Sequence, residues 1–349
     1  MEISVGIFLV IFISFLVCIL ATPFIRNLAI KYGIIDHPND CKVHSEPIAY
    51  LGGLAIYISS FSALFFLDKL NGQILAIFIG GTILVLIGLI DDVIGVLPNS
   101  KLLGEVIASL IVAKFAMVRV AFINQSYIAV PLALLWIIGL TNAFNLIDNM
   151  NGLSAGVAAI TCFFLGLITL FNEQVNIAIV FFGLMACCLG FLRYNFHKAV
   201  IFMGDSGSLF LGFMISSLVI VASWHSRAPM SLAIPILVLS YPIFDTTLVT
   251  VARLIEKRRI SDGGKDHSSH RLVKLGFSYT RSVVIIYILC FTMGIAALLI
   301  RKLPSTYDYI IIAVSSLFYI SLGLFFIFKV KIKRNEKLPL IKNGHLKVG

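Results

Sequence analysis

The chain has 349 residues, 59% of them hydrophobic and only 13% charged, with a mean hydropathy of +1.02. Soluble domains are about half apolar and about a quarter charged, so a soluble globular enzyme is excluded. The net charge of +10 does not point to nucleic acid. Its Lys and Arg lie in gaps between apolar runs and in 329–349, as expected of charge that orients membrane spans and meets anionic lipid.

A helix needs about 20 apolar residues to cross the hydrocarbon core. Eleven stretches approach that, at about 3–25, 51–67, 74–90, 102–118, 128–141, 153–171, 177–192, 206–223, 231–252, 282–300 and 309–328. The first lacks a basic leader and a small-residue cleavage site, so it reads as a retained span rather than a signal peptide. Leu51-Gly52-Gly53 and Gly80-Gly81 allow neighbouring helices to come close. Several stretches are short enough for re-entrant or broken helices. Five of the six cysteines (Cys18, Cys162, Cys187, Cys188, Cys290) fall inside apolar runs, and no spacing suggests a disulfide framework or a zinc site.

The expected fold is all-α: a polytopic membrane domain over 1–328, with about ten or eleven transmembrane helices, and a basic tail at 329–349. With the N-terminus outside, the loops 26–50, 91–101, 142–152, 193–205 and 253–281 and the tail are cytoplasmic. They hold 21 of the 27 Lys and Arg, leaving Lys69, Lys114, Arg119, Arg227, Arg301 and Lys302 opposite. This is the positive-inside bias, and it puts the C-terminus inside. The outer connections are short, so function belongs to the cytoplasmic face.

The polar patterns of that face follow in chain order. Lys42 and His44 precede Leu51-Gly52-Gly53 and could contact a phosphate or a base, or simply be solvated. Asp91-Asp92 close an apolar span; adjacent carboxylates repel, and a metal ion or a shared proton relieves them. In 142–153, Asn142, Asn145 and Asp148 fall at i, i+3 and i+6 and make one polar stripe if helical. Amides there can recognise a base or a sugar, although Asn and Asp also suit an ordinary capped loop. Gly204-Asp205-Ser206-Gly207-Ser208 offers close backbone approach to a phosphate, a helix start that favours anions and a carboxylate suited to Mg²⁺. Asp205 as a simple N-cap is the plainer reading. In 253–281, His267, His270 and Arg271 could clamp a diphosphate, whereas Lys257-Arg258-Arg259 reads as orientation charge. Asp245, inside an apolar span, shares a helix face with Arg253 and is expected either to help line the site or, as the plainer reading, to brace Arg253 through intervening groups.

Taken together and in order, these patterns resemble the polyprenyl-phosphate N-acetylhexosamine-1-phosphate transferase superfamily, over about residues 42–275. Within it the chain looks more like the initiating enzymes of O-antigen, enterobacterial common antigen and teichoic acid synthesis than like the peptidoglycan branch. That branch carries adjacent histidines where this chain has Asp266-His267-Ser268-Ser269-His270-Arg271. The resemblance implies a helix bundle with a cytoplasmic active-site cleft in the bacterial inner membrane, often paired as a homodimer. It implies a UDP-sugar donor, GlcNAc by default, a polyprenyl phosphate acceptor held in membrane lipid, release of UMP, and Mg²⁺ or Mn²⁺ as cofactor. By position, Asp205 would bind metal first, joined by Asp91 and Asp148. Asp91 and Asp92 would bind metal or take a proton from the carrier phosphate, Asp148 with Asn145 would contact the nucleotide or the metal-bound phosphates, and His267, His270 and Arg271 would hold the diphosphate. Two departures stand out: Asn151 replaces a common Asp, and Tyr50 stands where Arg is frequent. A transporter or flippase is the competing class. It is disfavoured because the acids gather at one surface rather than at mid-membrane.

Overall fold

The computed structural model describes residues 3–36, 47–115, 126–222, 224, 232–260, 264–304, 306–330, 341–342 and 345–346. Within these the chain is almost wholly helical: α1 (Ile3–Lys31), α2 (Gly52–Ser60), α3 (Gly72–Ile94), α4 (Pro98–Phe115), α5 (Ser126–Leu146), α6 (Leu153–Phe171), α7 (Val175–Asn195), α8 (Gly204–Val221), α9 (Ala233–Val238), α10 (Ser240–Ile255), α11 (Ser268–Lys274), α12 (Tyr279–Lys302) and α13 (Thr306–Lys329). Antiparallel pairs of two-residue strands, β1 (Ile35–Asp36) with β2 (Ile48–Ala49) and β3 (Ile341–Lys342) with β4 (His345–Leu346), are the other regular structure there. Eight of the helices, α1, α3, α5, α6, α7, α8, α12 and α13, are long and apolar enough to cross a membrane. The chain is an all-α, multi-pass membrane protein.

Each predicted span coincides with helix, but three differ in form. α2 tightens into a 3₁₀ turn at Phe61–Phe66. α4 carries Lys101, Glu105 and Lys114, which dilute its apolar character. The span predicted over 231–252 is two helices that part at Leu239. Pro242 explains the break: it has no N–H to bond back to the preceding turn, and it is tolerated in the first turn of α10 because that N–H would have no helical partner.

α8 is the axis of the bundle. Every residue from Ser206 to Val219 is buried, and α3, α5 and α2 pack around it. Small residues bring them close. A Cβ on Gly53 would overlap the backbone of Gly207, and one on Gly88 would overlap that of Ser206, so neither position can take a larger residue without moving α8. At the other extreme α1 and α13 are peripheral. α1 buries a stripe at four-residue steps, Gly6, Val10, Ser14, Cys18 and Thr22, mostly against α7. It turns Phe8, Phe12, Leu20 and Phe24 outward, an apolar face suited to lipid.

Candidate active site

The ends of α3 and α5 and the starts of α4 and α8 meet at one end of the bundle. Asp92 accepts the backbone N–H of Asp205 (2.8 Å), the N–H of Ser206 (3.2 Å) and the Ser206 hydroxyl (2.8 Å). α8 has no side-chain cap of its own, so a carboxylate from α3 satisfies its first donors and its dipole. Gly204, at φ 75°, makes the left-handed turn into α8, and a Cβ there would strike the Asp92 carboxylate. Both oxygens of Asp92 are thereby committed to holding Asp205 in place.

The neighbouring acids are placed differently. Asp91 accepts the Val96 N–H at 2.5 Å and ion-pairs with Lys101 through its other oxygen. Asp205 pairs with the same Lys101 ammonium and accepts Asn145 Nδ2 at 3.0 Å; that amide also reaches Ser208 Oγ at 2.9 Å. One ammonium therefore sits between two carboxylates, and all three groups remain partly exposed.

The polar stripe forms only in part: Asn142 and Asn145 lie on α5, whereas Asp148 falls in the turn beyond its end at Leu146, and the packing adds a residue that sequence reasoning missed. Asn142 donates to Glu105, a buried acid on α4, and to the Ile138 carbonyl. Asp148 is half-buried in the turn between α5 and α6. Burial, then the charges of Asp205 and Asp92, push its pKa up to about 8. It is electrostatically part of the cluster without bonding to it. Asn151 gives its amide to the His197 carbonyl at 3.4 Å rather than to any of the acids. Tyr50 lies close enough to be affected: burial and the charges of Asp36, Asp92 and Asp205 push its phenol up. Lys42 and His44 lie outside the described residues.

The segment 264–274 folds back against α10. Asp245 accepts His267 Nδ1 (2.7 Å), the Ser268 N–H (2.7 Å) and the Ser268 hydroxyl (2.6 Å). It thus braces His267, not Arg253. Arg253 instead forms a two-pronged pair with Asp266, at 2.9 and 2.7 Å, and this holds the Asp266 carboxyl down at about 2 although burial opposes it. Arg271 is buried and bonds to the carbonyls of Asp266, Phe326 and Val330, so its guanidinium closes the end of α13 and is not brought to the acids. His270 is buried with Nδ1 unpaired among the described residues. Burial, then the neighbouring His267, depresses its pKa to about 3, which keeps the imidazole neutral. Ser269 donates to Asn149 Oδ1 at 2.8 Å, tying this segment to the turn that carries Asp148.

Three of the four predicted acids therefore share direct contacts, and the fourth lies within their field. No group of three metal-ligating side chains converges among the described residues. The two carboxylates that already share one cation, Asp91 and Asp205, nevertheless match what Mg²⁺ asks of a protein when a substrate's phosphates supply other oxygens. Lys101 was missed because it is one basic residue nine positions past Asp92, and its pairing depends on how α3, α4 and α8 pack.

The chain is similar to known proteins over most of its length. The family model "Glycosyl transferase family 4" matches residues 74–223. The chain is 37% identical over 299 residues to the probable undecaprenyl-phosphate N-acetylglucosaminyl 1-phosphate transferase of Bacillus subtilis, covering 83% of this chain and 84% of that protein. It is 32% identical over 311 residues to the decaprenyl-phosphate N-acetylglucosaminephosphotransferase of Mycolicibacterium smegmatis, covering 77% and 75%. A phospho-N-acetylmuramoyl-pentapeptide-transferase from Caldicellulosiruptor bescii is 30% identical over 235 residues, covering 61% and 73%.

Proposed function

The chain belongs to glycosyl transferase family 4, the polyprenyl-phosphate N-acetylhexosamine-1-phosphate transferases, and from that membership we propose that it moves GlcNAc-1-phosphate from UDP-GlcNAc to undecaprenyl phosphate. UMP is released, and the product begins a cell-surface polysaccharide. The observation that carries this reading is the convergence of Asp91 and Asp205 on one cation at one end of the bundle, beside Asn145. Phosphoryl transfer asks mainly for positioning and charge neutralisation. Asp91 and Asp205 would hold Mg²⁺ or Mn²⁺, which would offset the charge of the donor diphosphate.

The chain's own residues do the rest. Asp92 keeps Asp205 and the α8 N–H groups in register. Asn145 holds the inner oxygen of Asp205, and Asp148 contacts the nucleotide side. The carrier phosphate oxygen attacks the sugar-bearing phosphorus directly as the bond to UMP breaks. The greater similarity to the Bacillus subtilis and Mycolicibacterium smegmatis proteins than to the pentapeptide transferase supports the polysaccharide branch, and the basic loops at this end support a cytoplasmic site in the bacterial inner membrane.

The test is UMP release from UDP-GlcNAc by purified protein with undecaprenyl phosphate and Mg²⁺, run beside a panel of other UDP-amino sugars. Omitting the lipid phosphate should abolish release. Release that does not need it, or none with any donor, defeats the assignment, as does a phospho-sugar covalently trapped on Asp148 or Asp205 for direct attack.

A further inference from the structure

A second charged feature shares no residue with the acid cluster. At the same end of the bundle, α1, α7 and the segment after α7 border an open cavity of about 410 Å³ lined by Pro23, Arg26, Arg193, Tyr194, Lys198 and Val200. Three of the six lining residues are cations, and none is an acid.

The chain builds this cavity locally. Pro23 has no N–H, so the Ile19 carbonyl loses its helical partner; the Tyr194 hydroxyl takes it at 3.1 Å and pins the end of α7 to α1. Beyond α7, His197 adopts φ 63°, a left-handed conformation unusual for a residue with a side chain. This turns the chain so that the Val200 N–H returns to the Tyr194 carbonyl at 2.9 Å. Arg26 gives Nε–H to the Val200 carbonyl at 3.1 Å. Its remaining guanidinium donors, and the charged ends of Arg193 and Lys198, have no partner among the described residues.

Three cations lining one open cavity, with no acid among the lining residues, favour a multivalent or delocalised anion there. The apolar lining of Pro23, Val200 and the Tyr194 ring, together with the outward Leu20 and Phe24 of α1, offers a path for acyl chains away from the charged mouth. We propose that this cavity binds the phosphate headgroup of an anionic membrane phospholipid, with the acyl chains lying along the outer face of α1. Free phosphate and the carrier lipid of the proposed reaction share that phosphate chemistry, so the test separates them.

Purified full-length protein is examined by native mass spectrometry with phosphatidylglycerol, phosphatidylcholine, undecaprenyl phosphate or inorganic phosphate, each supplied alone at equal concentration. The wild type is expected to retain phosphatidylglycerol in preference to phosphatidylcholine. The Arg193→Gln/Lys198→Gln variant spares the Arg26 bond that shapes the cavity, and should lower that retention by about tenfold or more. A control at exposed charges elsewhere at this end, Lys257→Gln/Arg259→Gln, should not. Four outcomes overturn the proposal: equal retention of both phospholipids, an equal loss in the control, no loss in the cavity variant, or a loss in the cavity variant confined to inorganic phosphate or undecaprenyl phosphate. Because no readout involves UMP release, failure here is distinct from failure of the transferase assignment.

Discussion

Two charged clusters sit at the same end of the bundle and differ in how they are sealed. Around Lys101 the side chains keep 23% (Lys101), 15% (Asp91) and 27% (Asp205) of their surface exposed, and one ammonium must serve two carboxylates. Around Asp266 and Asp245 the exposures are 6% for Arg253, 3% for Asp266, 6% for His267 and 0% for Asp245, and the acids are met by several donors each. A saturated, buried cluster holds a loop in shape. An under-neutralised cluster open to solvent is where an exchangeable cation and an anionic substrate can enter. Charge alone does not separate structure from chemistry; partner count and exposure do.

The strongest way to break this comparison is to exchange the behaviour of the two sites. Asp205→Asn should cut UMP release by about a thousandfold or more, since under the proposed function it removes charge that would hold the metal ion and so offset the reacting phosphates, and should leave melting nearly unchanged. A variant that loses its fold along with its activity would place Asp205 with the structural cluster instead. Asp266→Ala should do the reverse in kind, leaving Arg253 buried without its partner and lowering stability by about 3–5 kcal/mol, read as a fall in melting temperature in detergent.

Acid titration sharpens the same contrast. The Asp266 carboxyl sits at about 2 when folded against an ordinary 3.8. Its stabilisation is therefore complete above the unfolded value and is lost as pH falls from about 4 towards 2, a change of about 2 kcal/mol by proton linkage. Asp266→Asn should flatten that part of the stability profile; an unchanged acid limb would show that the pair contributes nothing. The smallest effect is expected at Lys101. Lys101→Met leaves Asp91 and Asp205 facing each other, so it should lower metal-free stability by about 1 kcal/mol. It should also make added Mn²⁺ bind more tightly by electron paramagnetic resonance, because the ion no longer competes with an ammonium. Weaker Mn²⁺ binding would mean that Lys101 supports the ion's site rather than occupying it.

Much of this was legible in the chain itself. The positions of the helices followed from hydropathy because a bilayer demands about 20 apolar residues per crossing. The gathering of Asp91, Asn145, Asp148 and Asp205 at one end followed from their places at successive helix ends. What misled was reasoning about pairs from helical spacing alone. Asp245 and Arg253 share a face of α10, yet each takes its partner from the returning segment, His267 and Asp266. Arg271, whose neighbours in sequence suggest a phosphate clamp, is drawn to the carbonyl end of α13 because unpaired carbonyls at a buried helix terminus need a donor.

The sequence by itself determined the all-helical membrane architecture, the family and the end of the bundle where the acidic and amide motifs gather, because those depend on local hydropathy and on residue type at helix ends. Only the tertiary structure decided that Asp92 buttresses α8 while Asp91 and Asp205 share a cation, and that Arg26, Arg193 and Lys198 surround one cavity. Those choices depend on which helices lie side by side, where Gly53 and Gly88 let backbones touch. A charge acts on whatever comes within a few ångströms of it, however far away that group is in the chain.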